Sequence, residues 1–167
     1  MFEPQDTVLL TGDSITDAGR SRERGDANEP TSLGQGYAFH IAAMLRANHP
    51  DKDLAVHNRG IAGDKVTDLA HRWRRDCLDL APDVVSVLIG VNDTWHGTGR
   101  GDPAAGVPVD QYEQTYRQLL DQLRDHRPDV KLVLCEPFSL PCGAVTDAWQ
   151  PEMRERQAVV KKLAEAY

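Results

Sequence analysis

The chain has 167 residues, of which 40% are hydrophobic and 27% are charged, and its formal net charge at pH 7 is -7. This composition fits one globular domain over residues 1–167, whereas the acidic balance argues against nucleic acid or an anionic membrane as partners. No apolar run reaches 18 residues and the amino terminus lacks the features of a leader, so we expect a cytoplasmic location. Three widely spaced cysteines and six unclustered histidines predict no disulfide framework, no metal site and no cofactor.

The first half of the chain alternates strand and helix patterns. The apolar run Val8 to Leu10 predicts a buried strand, and a polar loop follows at 17–33. Apolar side chains at helical spacing then predict an amphipathic helix over 36–49, ended by Pro50. The predicted stripe of that helix consists of Tyr37, Ile41, Met44, Leu45 and Asn48. A second strand is predicted from Leu54 to Asn58.

The second half repeats this alternation. A helical stripe runs from Val66 to Cys77, with Asp64 as its expected N-cap. The next predicted elements are a strand at 84–89, a Gly/Pro-rich loop at 96–108, a helix ending near residue 128, a strand at 130–135 and a helix from about 151. This order, β-α-β-α-β-α-β-α, requires a parallel sheet with helices on both faces, so we predict an α/β, doubly wound fold.

Three polar sites follow three of the predicted strands, where the carboxyl ends of parallel strands share one edge. Ser14 follows the first strand, where it is either an exposed nucleophile or a helix cap. Gly60 follows the second, where it either offers its N–H to a ligand or makes a plain turn. Asn92 follows the third, where its amide either stabilises an oxyanion or forms an Asx-turn.

Together, Gly12-Asp13-Ser14, Gly60 and Gly90-Val91-Asn92-Asp93 resemble the first three sequence blocks of the SGNH, or GDSL-type, hydrolases. The resemblance covers nearly the whole chain. It implies a flavodoxin-like three-layer α/β/α fold whose parallel sheet has the order 2-1-3-4, with the family's fifth strand missing here. It also implies a serine esterase without metal or cofactor.

The same resemblance assigns roles to single residues. Ser14 would be the nucleophile, and the N–H of Ser14, the N–H of Gly60 and the side chain of Asn92 would form the oxyanion hole. The strings at 12–20, 59–64 and 89–95 look closest to the branch that contains bacterial acetylxylan esterases. The substrate implied is therefore a small acyl ester, an acetyl group on an oligosaccharide, and the oligomeric state is left open, a homo-oligomer included.

One block of the family pattern does not occur in this sequence. The Asp-x-x-His block, which supplies the general base and its orienting carboxylate, is absent, so we expect the chain to be truncated at its C-terminus and largely inactive alone. His96 is the one histidine near the motifs and is the alternative base. Two other functions stay open: a lysophospholipase or thioesterase of the same family, and a non-catalytic carbohydrate- or ester-binding domain.

Three further features have competing interpretations. Trp95 either forms a wall of the acyl pocket or packs its own loop, and Glu136, which follows the fourth strand, is either a loop hydrogen-bonding group or a catalytic carboxylate. The arginines Arg72, Arg74 and Arg75 are expected on the solvated face of a helix.

Overall fold

A computed structural model describes residues 2–167. Four strands form one parallel sheet in the order β2-β1-β3-β4, which confirms the predicted topology. The strands are β1 Thr7–Gly12, β2 Ala55–Asn58, β3 Val84–Leu88 and β4 Lys131–Cys135. The helices are α1 Ser14–Asp17, α2 Pro30–Leu33, α3 Tyr37–Asn48, α4 Val66–Asp76, α5 Val91–His96, α6 Val109–His126 and α7 Gln150–Ala166.

Helices cover both faces of the sheet because alternate side chains of each strand point to opposite sides. Leu9, Val85 and Val87 face one side and pack in a large core with apolar residues of α4, α6 and α7. Val8 and Leu10 face the other side and pack in a smaller core with α3. All five residues are almost fully buried, and each such side chain contributes roughly 1.5 to 3 kcal/mol to folding. The chain is therefore a three-layer α/β/α structure.

Helix α3 has the predicted extent but a different contact face. Ala38 and Ala42 are its buried residues, whereas Met44, which we predicted in the apolar stripe, is 62% exposed. Small residues let this helix lie close to the sheet, so the longer apolar side chains flank the contact instead of forming it.

The start of α4 also differs from the prediction. Lys65, not Asp64, is the N-cap residue, and the Lys65 N–H donates to Asp68 Oδ2 at 3.0 Å. Asp64 instead accepts a hydrogen bond from Arg72 Nε at 2.7 Å. The carboxylate expected to cap the helix therefore forms an ion pair beside it.

None of the helices formed by residues 2–167 is both long and apolar enough to cross a membrane.

Candidate active site

Gly12 and Asp13 present Ser14 at the carboxyl end of β1. Gly12 has φ +151°, and a Cβ there would lie 1.9 Å from the Leu88 carbonyl oxygen, so only glycine lets the ends of β1 and β3 come this close. Asp13 then caps α1 by accepting the Ile15 N–H at 3.0 Å. Ser14, the first residue of α1, is exposed, and its hydroxyl has no hydrogen-bond partner within residues 2–167.

Asn92 lies on α5, a short helix that stands where an Asx-turn was one of the two sequence interpretations. The helix follows Gly90, whose φ is +135°, directly after β3. The Asn92 side chain is buried, and its Nδ2 donates to the Asp64 carbonyl oxygen at 2.9 Å. An amide nitrogen carries two hydrogens, so one N–H of Asn92 is left for a ligand.

Ser14 and Asn92 line the same cleft, which has a volume of about 340 Å³. The lining has no acidic side chain, lysine, arginine or histidine, and its other residues are Ile15, Val91, Trp95, Phe138, Ser139, Leu140, Cys142, Ala144, Val145 and Trp149. Trp95 is therefore a wall of this cleft, whereas Glu136 is exposed and does not line it. The site combines a free hydroxyl and a neutral amide with apolar walls.

The structure does not leave the Gly60 N–H free for an oxyanion. That N–H donates to Asn58 Oδ1 at 2.8 Å, so the segment after β2 is an Asx-turn. Gly60 is required for a different reason, because a Cβ there would lie 2.3 Å from the Asp17 backbone nitrogen. The role that the resemblance assigned to Gly60 therefore disagrees with its hydrogen bonding.

A second glycine of the same loop has the free donor. Gly63 has φ +90°, its N–H has no acceptor within the described part of the chain, and a Cβ on this residue would have open space for 4 Å around it. It precedes Asp64, whose carbonyl oxygen holds the Asn92 amide. Sequence reasoning missed Gly63 because both glycines follow β2, and the Asn58 hydrogen bond and the φ angles that distinguish them are not visible in the sequence.

No histidine among residues 2–167 lines the Ser14 cleft. His96 ends α5 and is partly buried, and burial together with the nearby charges of Arg100 and Lys65 lowers its pKa. The structure thus places the alternative base outside the cleft.

Two buried carboxyl groups adjoin the site in sequence, since Asp13 precedes Ser14 and Asp93 follows Asn92. Burial raises the pKa of Asp13 to about 7, with smaller contributions from Asp93 and Asp64. Burial also raises the pKa of Asp93 to about 6, and Asp93 accepts the Val66 N–H at 3.0 Å. Asp93 thereby joins α5 to the first residue of α4.

Arg72 braces the loops that carry the site, which contradicts its prediction as a solvated residue. It is 8% exposed, and its terminal nitrogens donate to the carbonyl oxygens of Gly12 at 3.0 Å and Arg59 at 2.7 Å. In sequence Arg72 directly precedes the buried Trp73, so it lies at the border of the apolar stripe. That position at the border of the apolar stripe was the sequence signal that could have indicated the burial of Arg72.

Arg156 is a second buried arginine that sequence reasoning missed. Its Nε donates to Thr94 Oγ1 at 3.0 Å, and its guanidinium lies 5.0 Å from the centre of the Tyr112 ring. Through Thr94, Arg156 therefore anchors α5, the helix that carries Asn92.

Comparisons with known proteins agree with this geometry. Residues 10–167 match the GDSL-like Lipase/Acylhydrolase family. An acetylxylan esterase from Geobacillus stearothermophilus is 37% identical over 160 residues, which are 95% of this chain and 71% of that protein. A structure from Parabacteroides merdae described as a GDSL-like lipase has a TM-score of 0.92 and 39% identity, and the match covers 99% of this chain and 76% of that one.

Structures of the Geobacillus esterase include catalytic mutants in which a serine, an aspartate or a histidine is replaced by alanine. The serine mutant has a TM-score of 0.88 and 34% identity, with 99% of this chain and 74% of that one covered. The chain therefore belongs to the GDSL-like lipase/acylhydrolase family and is a carboxylic ester hydrolase.

Proposed function

We propose that this protein removes small acyl groups, acetyl above all, from carbohydrate through an acyl-enzyme on Ser14. The observation that carries the proposal is the Ser14 hydroxyl, free of protein partners, in one uncharged cleft with the Asn92 amide. The acetylxylan esterase relative supports the acetyl ester as substrate.

In the proposed first step, Ser14 Oγ attacks the ester carbonyl carbon and its proton passes to a base. The carbonyl oxygen becomes an oxyanion, which would accept hydrogen bonds from the Ser14 N–H, the free Asn92 Nδ2–H and the Gly63 N–H. The sugar hydroxyl then leaves with the proton. Water attacks the acyl-enzyme in the same geometry and releases acetate and the serine.

We propose that the base is a histidine which is not among the described residues. Two observations support this assignment. No histidine lines the cleft, and the relative's catalytic aspartate and histidine are numbered beyond 167 in that protein. Without a base, Ser14 is a weak nucleophile at its ordinary pKa.

The walls of the cleft support a sugar ester. Trp95 lines the cleft and is partly exposed, and the volume of about 340 Å³ fits a small acyl group. One observation favours the second candidate, a lysophospholipase or thioesterase. Phe138 and Leu140 at the rim are 45% and 63% exposed, which suits a longer acyl chain.

Acyl-enzyme capture separates the two candidates. The form of the protein that carries the base is incubated with aryl acetate, butyrate and octanoate, and intact mass spectrometry measures the rate at which one acyl group is added. We expect acetyl transfer to be fastest, with the adduct on Ser14. Fastest transfer from octanoate would instead support the lysophospholipase or thioesterase.

A non-catalytic binding domain would form no acyl adduct. The matched control is Ser139→Ala, because Ser139 is the other serine of the same cleft. Ser139→Ala should acylate at the wild-type rate, whereas Ser14→Ala should not acylate.

A further inference from the structure

A second cleft, here called the arginine cleft, is lined mainly by cations. Its lining consists of Arg20, Arg22, Arg59, Ile61, Arg75 and Asp76, and its volume is about 400 Å³. It shares no lining residue with the Ser14 cleft. Four arginines around one cleft are notable in a chain whose net charge is -7.

Two of these arginines have carboxylate partners. Arg22 forms an ion pair with Asp17, and Arg75 forms one with Asp76 at 2.7 Å. Both arginine side chains are more than half exposed, so they lie at the rim of the cleft. Arg72, behind the lining, is paired with Asp64 and Asp76.

The other two arginines, Arg20 and Arg59, have no such partner. No carboxylate oxygen of residues 2–167 lies within 4 Å of either guanidinium group. Arg20 is only 9% exposed, and it donates its Nε to the Gly60 carbonyl oxygen at 2.7 Å. Its two terminal nitrogens have no acceptor in the described part of the chain, and neither has the Arg59 guanidinium.

An arrangement of this kind is unfavourable without a counter-ion. Burial lowers the pKa of Arg20, the charge of Asp17 opposes this shift in part, and the charges of Arg59, Arg22 and Arg72 lower the pKa further. Removing a guanidinium group from water costs several kcal/mol unless an opposite charge compensates it. Around this cleft five arginines, numbers 20, 22, 59, 72 and 75, face three aspartates, numbers 17, 64 and 76. Positive charge is therefore in excess.

We propose that the arginine cleft binds a small oxyanion, a carboxylate or phosphate group, between Arg20 and Arg59. The planar guanidinium fork donates two parallel hydrogen bonds to such groups, which a single ammonium cannot do. Two sources share this chemistry: the carboxylate of an acidic sugar, and inorganic phosphate or a phosphate ester. The site goes beyond the esterase function and does not require it.

Anion binding would be coupled to the Ser14 site through the backbone. Arg20 holds the Gly60 carbonyl oxygen, and Arg72 holds the carbonyl oxygens of Gly12 and Arg59. An anion that relieves repulsion among these arginines stabilises the loops before Ser14 and Gly63. We therefore expect the anion to raise the thermal stability of the whole chain.

The test is a thermal-shift titration at pH 7 with phosphate and, separately, with glucuronate. Glucose controls for the neutral part of glucuronate, and sodium chloride at matched ionic strength controls for screening. We expect a saturable rise in Tm of about 5 °C at a hundredfold excess over Kd. A response to glucuronate alone identifies an acidic sugar as the source, and a response to phosphate alone identifies a phosphate group. A rise no larger than that with sodium chloride would refute the site.

Arg59→Gln is the decisive variant, because the Arg59 side chain has no hydrogen bond within the described residues that the substitution would break. Its matched control is Arg74→Gln, which makes the same charge change at an 82% exposed side chain of α4 outside the cleft. We expect isothermal titration calorimetry to show at least a tenfold weaker Kd for Arg59→Gln and an unchanged Kd for Arg74→Gln. Equal losses in both variants would mean that only net charge matters.

Arg20→Lys supplies a second, independent measurement. It keeps the positive charge but removes the planar fork, so we expect a Kd between those of wild type and Arg59→Gln. A wild-type Kd in both Arg20→Lys and Arg59→Gln would overturn the proposal. None of these measurements depends on ester turnover, so failure of the esterase proposal and failure of the anion site are distinguishable.

Discussion

The Ser14 cleft and the arginine cleft are supported by the same two loops, yet they present opposite chemistry. Gly12 and the segment from Asn58 to Asp64 contact both regions. The Ser14 cleft offers neutral donors between apolar walls, whereas the arginine cleft offers cations. Arg20 and Arg72 bind the loops through the carbonyl oxygens of Gly60 and Gly12. The hydrogen-bond donors near Ser14 therefore remain uncharged.

The two clefts differ in chemistry because their ligands carry negative charge at different stages. An ester is neutral, and its oxygen becomes anionic only in the transition state. Fixed neutral donors stabilise that charge without holding an anion beforehand. A carboxylate or phosphate carries its charge at all times, so full cations bind it in the ground state. Moving an arginine into the Ser14 cleft would therefore favour product acetate as well as the transition state.

The largest expected effect comes from replacing the nucleophile of the Ser14 cleft, which removes its reaction with a covalent probe. In the form of the protein that carries the base, Ser14→Ala should abolish labelling by a fluorophosphonate probe, because the free hydroxyl is the atom that reacts. Intact mass spectrometry measures the adduct, and Ser139→Ala is the control within the same cleft. Undiminished labelling of Ser14→Ala would contradict the assignment of the cleft.

The next largest effect concerns the missing base. We expect residues 1–167 alone to hydrolyse an aryl acetate several orders of magnitude more slowly than the Geobacillus acetylxylan esterase in the same assay. The reason is that serine hydrolases lose about this much when a triad member is removed. Spectrophotometric turnover is the measurement. Comparable rates would place a base within this chain, and His96→Ala, with exposed His126→Ala as control, would be the next comparison.

The fold could be predicted from the sequence because each element carries a local signal. The β3 run is apolar except for Ser86, since the strand is buried on both faces, and alternation of strands with helices leaves few topologies. Ser14 and Asn92 follow successive neighbours in the sheet, so parallel topology alone brings them to one edge. Their presence in one cleft followed from strand order and needed no side-chain detail.

What the sequence did not reveal depends on individual hydrogen bonds. Gly60 and Gly63 look alike in sequence, and the difference is that the Asn58 side chain accepts the Gly60 N–H. Arg72 resembles its exposed neighbours Arg74 and Arg75, but the helix orientation turns it towards the Gly12 carbonyl oxygen. A charged residue beside an apolar stripe can be either solvated or buried, and only the packed structure decides which.

A smaller effect is expected at the oxyanion donor. Asn92→Ala should lower kcat roughly 100-fold with little change in KM, because a neutral donor acts mainly on the transition state. Steady-state kinetics of the form of the protein that turns over substrate measures both constants, and exposed Asn48→Ala on α3 is the control. A wild-type kcat would mean that Asn92 only holds the Asp64 carbonyl oxygen.

The smallest effect concerns Asp13, the buried carboxyl group that directly precedes the nucleophile. Burial raises its pKa from 3.8 to about 7, so the folded protein binds a proton more tightly than the unfolded chain between those values. The free energy of unfolding attributable to Asp13 is therefore fully present below about pH 4 and decreases as pH rises through 7.

Asp13→Asn keeps an oxygen that can accept the Ile15 N–H but removes the titration. Relative to wild type, the variant should gain stability as pH rises from 4.5 to 8, by on the order of 2 to 4 kcal/mol. Urea unfolding at several pH values measures this difference, with exposed Asp51→Asn as the matched control. Asp93, whose charge contributes to the raised pKa of Asp13, titrates in the same direction and is present in both proteins. A pH-independent difference would show that the pKa of Asp13 is the same in the folded and the unfolded chain.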